Sequence, residues 1–120
     1  MDAKEIGARG EEAAAAYLER AGMTIVERNW RCRSGEVDIV ALDGDSVVLV
    51  EVKTRRSATR GAPEEAVSPT KQKRLIRLAA AYVQHAGLSD CDVRFDVVAI
   101  RAISSDRALL RHHRAAFMAQ

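Results

Sequence analysis

Aromatic residues are scarce: one tryptophan, two tyrosines and two phenylalanines make up 4% of the 120 residues. A platform of rings for stacking nucleobases, the device of single-strand binders, is therefore not expected. There are only two cysteines, Cys32 and Cys91, and they follow no CxxC or finger spacing, which argues for reduced thiols in a reducing compartment. No apolar run approaches the roughly 20 residues of a membrane span. The opening Met1-Asp2-Ala3-Lys4-Glu5 lacks the basic-then-apolar layout of a signal peptide. A cytoplasmic protein without a membrane partner is expected. The three histidines, His85, His112 and His113, have no cysteine or carboxylate at ligand spacing and are read as surface residues.

What is present is ordinary for a folded domain: 48% hydrophobic and 30% charged residues, in a chain long enough for one core and too short for two. A single domain over residues 1–120 is expected. Asp2, with Glu5 three residues on, caps a first helix whose apolar positions run from Ile6 through Gly10, Ala14, Tyr17 and Leu18 to a stop at Gly22. Thr24 to Trp30 reads as a strand. Ser57 to Pro63 reads as a mobile loop. Ser68-Pro69 opens a second helix with a stripe of Leu75, Ile76, Ala79, Tyr82, Val83 and Ala86. Val93 to Ile100 reads as a further strand, and the tail from Leu109 to Met118 as a short helix or strand on the edge.

Between the first strand and the loop lies the most telling segment. Gly35 to Leu42 and Val47 to Lys53 flank the turn Asp43-Gly44-Asp45-Ser46, the pattern of a β-hairpin. Pairing Leu42 with Val47 sets Asp38 opposite Glu51. Alternation then puts Glu36, Asp38, Glu51 and Lys53 on one face, and Val37, Ile39, Ala41, Val48, Val50 and Val52 on the other. Like charges across a strand pair destabilise it, and a hard divalent cation such as Mg²⁺, held by one or two carboxylates with waters and phosphate oxygens, would offset that cost. The competing reading is a salt-bridged solvated sheet face. The apolar run Val47 to Val50 favours a strand covered on both sides, which makes the charges at its end harder to assign to solvent.

Net charge is +2 overall, but from Lys53 to Arg77 eight cations face only Glu64 and Glu65, giving +6 there and −4 in the remainder. A basic segment starting at the carboxylates suits a polyanion, through phosphate contacts from Arg55, Arg56, Arg60, Lys71 and Arg74. The alternative is a solvated helix face and loop.

The order α-β-β-β-α-β, with Asp38 followed by Glu51-Val52-Lys53, resembles the PD-(D/E)XK nucleases. More closely, the chain is similar to the YraN family of predicted endonucleases, which is related to archaeal Holliday-junction resolvases. Gly7-x-x-x-Glu11, Ala14, Tyr17-Leu18, Asn29, Gly35-Glu36-Val37-Asp38, Val50 to Arg55 and Arg94 to Val98 carry the likeness. It implies an α/β restriction-endonuclease-like core, a mixed sheet flanked by helices. It also implies catalytic Glu11, Asp38, Glu51 and Lys53, with Asp38 and Glu51 as ligands of Mg²⁺ or Mn²⁺. The implied substrate is DNA, branched or junction DNA in particular, recognised by structure and not by sequence, and the implied assembly is a homodimer. Two other readings stay open: a nucleic-acid-binding module on the same fold without catalysis, and a protein-interaction domain. Asp96 reads equally as a structural acceptor near the site or a solvent-facing residue, and Glu36 has no assigned role.

Overall fold

The computed structural model describes residues 2–56, 67–104 and 106–117. The loop Ser57–Pro63 and Arg60 fall outside them. The elements run α1 (Ala3–Arg20), β1 (Thr24–Cys32), β2 (Gly35–Asp43), β3 (Ser46–Arg56), α2 (Pro69–His85), β4 (Asp92–Ser104) and β5 (Arg107–Phe117). The tail is thus a strand, and the order becomes α-β-β-β-α-β-β. The five strands form one sheet in chain order. β3 and β4 are parallel, bridged by α2, and every other pair is antiparallel. The architecture is an α/β mixed sheet flanked by two helices, consistent with a restriction-endonuclease-like fold. No helix among the described residues is long and apolar enough to cross a membrane.

Both helices start where their caps dictate. The Asp2 side chain accepts the Glu5 N–H at 2.8 Å and Glu5 returns the bond, closing a capping box. Ser68 accepts the Lys71 N–H, with Pro69 in the first turn. Gly22, at φ +100°, takes the chain out of α1.

The core divides at the sheet. On the α1 side Ala14, Leu18, Ile39, Ala41, Val48, Val50, Val98 and Ile100 pack together. On the α2 side the cluster is Val37, Val40, Val47, Leu49, Leu75, Leu78, Ala79, Tyr82 and Phe95. Val47 to Val50 are buried on both faces, as their unbroken apolar run requires. The buried stripe of α2 includes Leu78 and omits Ala86, which is exposed. Leu78 lies three residues from Leu75 and four from Tyr82, squarely on the same helix face.

Strict alternation along β2 fails at one point. Val37 belongs to the α2 cluster and Ile39 to the α1 cluster, so these two do not share a face as alternation predicts. The cause is visible in the neighbouring strand. The pairings Arg28↔Ile39 and Trp30↔Val37 leave Asn29 opposite Asp38, and Asn29 has φ +55°, a left-handed conformation that asparagine tolerates better than most residues. Arg28 reaches Glu12 on α1 at 3.2 Å, whereas Trp30 meets Tyr82 of α2 edge-on at 5.2 Å. Both strands change face at this pair.

Candidate active site

The sheet forks beside Asp38. β2 and β3 are paired from Asp43↔Ser46 to Ile39↔Val50. Beyond that β2 stays with β1 as far as Cys32↔Gly35, and β3 stays with β4 as far as Arg56↔Ala102. The hairpin loop is Gly44-Asp45, so the predicted Leu42–Val47 register holds. The Asp38–Glu51 pairing expected from it does not form as a ladder step. Instead Asp38 Oδ2 accepts the Val52 N–H at 2.8 Å across the fork. Asp38 thus bridges the two strands in the seam. Glu51 and Lys53, two apart on β3, alternate with the α1-side residues Val50 and Val52 and so lie toward α2.

Glu11 comes to the seam on α1. A Cβ at Gly10 would overlap Thr54 Oγ1, so only glycine lets the helix approach β3 so closely. Asp38 is pushed up to about 6, mainly by burial, against the lowering hydrogen bond from Val52, with Glu51, Glu11 and Glu36 each raising it further. Three other carboxylates therefore act on Asp38 here. Glu36 is ion-paired with Arg31.

Glu51 is held from the other side. Its Oε1 is 2.5 Å from Lys71 Nζ in the first turn of α2, while its Oε2 is buried with no hydrogen-bond partner among the described residues. Lys71, read from the sequence as a phosphate contact, is thus part of the carboxylate site. Alternation within β3 gives no hint of this, because the contact depends on where α2 begins. Arg55 and Arg56 are exposed at the end of β3, and Arg74 is exposed on α2.

Among the described residues no three His, Cys, Asp or Glu side chains are gathered to hold an ion as they stand. Asp38 is turned to Val52 and Glu51 to Lys71. The donor set still fits a hard cation: carboxylate oxygens only, one of them buried without a partner among the described residues, beside an aspartate whose charge is opposed by its neighbours. Mg²⁺ and Mn²⁺ are bound by such oxygens with retained waters.

A second polar cluster overturns the surface reading for His112, while His85 is exposed as expected. The His112 side chain is 4% exposed; its Nε2 is hydrogen-bonded with Asp96 Oδ2 at 2.7 Å and its Nδ1 with the Tyr17 hydroxyl at 3.0 Å. Arg94 donates to both Asp96 oxygens at 2.9 Å and to Asp43 at 2.9 Å, and the Ala115 N–H donates to Asp96 at 3.0 Å. Asp96 is the structural acceptor of the two alternatives. Burial pushes its carboxyl up, but His112, Arg94 and the Ala115 N–H outweigh that and hold it at about 2. This cluster ties β5 and α1 to the sheet.

A mixed α/β sheet that forks at an Asp, with Glu-x-Lys on the next strand and a helix-borne Glu beside them, is consistent with a restriction-endonuclease-like fold. The profile of the uncharacterised protein family UPF0102 matches residues 10–100. A UPF0102 protein of Geobacter sulfurreducens is 51% identical over 95% of this chain and 89% of its own length. Those of Arthrobacter sp. FB24 and Rhodococcus jostii RHA1 are 52% and 50% identical, over 95% and 93% of this chain and 98% and 95% of theirs. The chain belongs to the UPF0102, or YraN, family.

Proposed function

We propose that this protein is a Mg²⁺- or Mn²⁺-dependent endonuclease of the PD-(D/E)XK superfamily that hydrolyses phosphodiester bonds in DNA. The observation that carries the reading is the seam itself, where Asp38 is charge-opposed by Glu51, Glu11 and Glu36 and a buried Glu51 oxygen has no partner among the described residues. Asp38 and Glu51 would hold the ion, with Glu11 on its water shell. The ion, when bound, supplies Lewis acidity toward the phosphate and lowers the pKa of a water. Lys53, on the Glu51 face, orients that water or offsets charge on the phosphorane-like transition state. Arg55 and Arg56 continue β3 toward a groove of about 610 Å³ lined by Ile6, Gly10, Thr54 and Ile103 with Arg9, Arg56 and Arg107 at its sides. The groove is mostly apolar, and the arginines beside it would contact phosphates and read shape. Branched DNA and a homodimer, cutting two strands from two sites, follow from the resemblance to the resolvases.

The second reading, a DNA-binding module without catalysis, draws on the absence of a preassembled three-carboxylate group among the described residues. One assay separates them: nicking of four-way junctions, flaps and plain duplex in Mg²⁺ and in Mn²⁺ at low salt, with Lys53→Ala purified alongside. The nuclease reading expects cleavage by the parent and none by Lys53→Ala, with DNA binding nearly unchanged. Equal background nicking by both proteins on every substrate gives the case to the binding module.

A further inference from the structure

The site already contains a cation. Lys71 stands in the first turn of α2, its backbone fixed by the Ser68 cap, and its ammonium lies 2.5 Å from Glu51 Oε1. Two features make this a poor resting place for a positive charge unless an anion is near. The N-terminal end of a helix carries a partial positive charge that favours anions. The first turn of α2 has no acidic residue, and Lys73 and Arg74 follow closely. Among the described residues Glu51 is the anion paired with Lys71; a phosphate would serve as well. Glu51 likewise is a carboxylate engaged at one oxygen and without a partner at the other among the described residues. The two groups satisfy each other only halfway, and each has a stronger partner in a metal-loaded complex with DNA.

We propose that Lys71 is a resident counter-cation of Glu51 that exchanges partners. When a divalent ion takes the Glu51 carboxylate, the ammonium is released to a substrate phosphate, so one side chain couples metal binding to DNA binding. This rests on the metal-dependent reading of the site. Until an ion of higher charge replaces the ammonium, Glu51 stays paired with Lys71 of α2. By reciprocity, whatever the ion gains by displacing Lys71 onto phosphate, the DNA gains from the ion.

The test is Mn²⁺ affinity without DNA, read by the electron paramagnetic resonance signal of free Mn²⁺, for the parent, Lys71→Met, Lys71→Arg and Glu51→Gln, each checked for parental thermal unfolding. Removing the competing charge in Lys71→Met is expected to tighten Mn²⁺ binding roughly fivefold to tenfold, while Lys71→Arg stays near the parent. Unchanged or weaker Mn²⁺ binding by Lys71→Met, with Glu51→Gln unable to bind the ion, overturns the exchange and leaves the metal site standing. Mn²⁺ binding that survives in Glu51→Gln, or is missing from the parent, overturns the metal reading and the exchange with it. The DNA half is read by anisotropy of a labelled duplex in Lys53→Ala proteins, so that nothing is cut. The gain in affinity from EDTA to Mn²⁺ should shrink several-fold when Lys71→Met is added, and an equal gain would show that Lys71 does not move to phosphate.

Discussion

Asp38 replaces a rung of the β2–β3 ladder with its own side chain, its Oδ2 accepting the Val52 N–H at 2.8 Å where the strands part. The strands can diverge there without leaving that donor unpaired, a defect that would cost about 1–3 kcal/mol in a buried setting. The same bond fixes the carboxylate in the seam, next to three others. A residue that would be a liability in an ordinary hairpin is here the hinge of the fork.

Because Asp38 is raised from 3.8 to about 6 in the folded protein, the folded state binds a proton more tightly than the unfolded chain does. Stability is therefore lost as pH rises from about 4 to about 6 and stays lost above that. Asp38→Asn retains an oxygen for Val52 and carries no charge. Its melting temperature should match the parent's near pH 4 and exceed it increasingly up to pH 7, with no cleavage at any pH. A difference independent of pH would mean that the Asp38 carboxyl is not raised by burial and its acidic neighbours. Mn²⁺ should raise the parent's melting temperature at pH 7 and leave that of Asp38→Asn almost unmoved.

Asp96 behaves in the opposite sense. Its folded value of about 2 lies below the ordinary 3.8, so the stability it contributes is complete above about pH 4 and is lost as pH falls toward 2. At neutral pH, Asp96→Ala leaves His112 and Arg94 without their shared anion in a buried setting and should cost about 3 to 5 kcal/mol in urea unfolding. Asp96→Ala as stable as the parent at pH 7 would show the cluster to be dispensable.

Much of the fold is legible in residues governed by short-range rules. The Asp2–Glu5 box, the Ser68-Pro69 start, the Leu42–Val47 register and the two-sided burial of Val47 to Val50 all follow from neighbours within one or two elements. The departures from expectation share a different origin. Val37 changes face because Asn29, on another strand, adopts a positive φ. His112 is buried because β5 pairs Val98 with it and α1 lays Tyr17 against it. Lys71 meets Glu51 because α2 begins where it does. Each depends on how separate elements are docked, which hydrophobic periodicity does not encode. Asp96 is ambiguous in the sequence for the same reason, since its alternation with Phe95 gives a face but not what covers it.

DNA affinity should rest on phosphates. Replacing Arg55 and Arg56 with Ala is expected to weaken binding about equally for unrelated duplex sequences and to flatten the log–log salt dependence by roughly 0.9 for each phosphate no longer neutralised. Titrations at several salt concentrations measure this directly, and an unchanged slope would move the DNA path away from the end of β3.

The last prediction concerns the packing that delivers Glu11. α1 lies on β3 at Gly10 and Thr54, where an added methyl would overlap Thr54 Oγ1. Alanine is the better helix former in isolation, so a simple propensity effect would stabilise Gly10→Ala. Overpacking predicts the reverse, a loss of about 1–3 kcal/mol as the helix is pushed off the sheet. The displacement also carries Glu11 away from the seam, so cleavage should fall by more than the unfolded fraction explains. Thr54→Ala removes the clashing oxygen, and the double variant should recover part of both losses, whereas independent sites would add. Denaturant unfolding of the four proteins gives the coupling energy. A stabilised Gly10→Ala, or strict additivity with Thr54→Ala, would mean that the helix is not seated on β3 at this point.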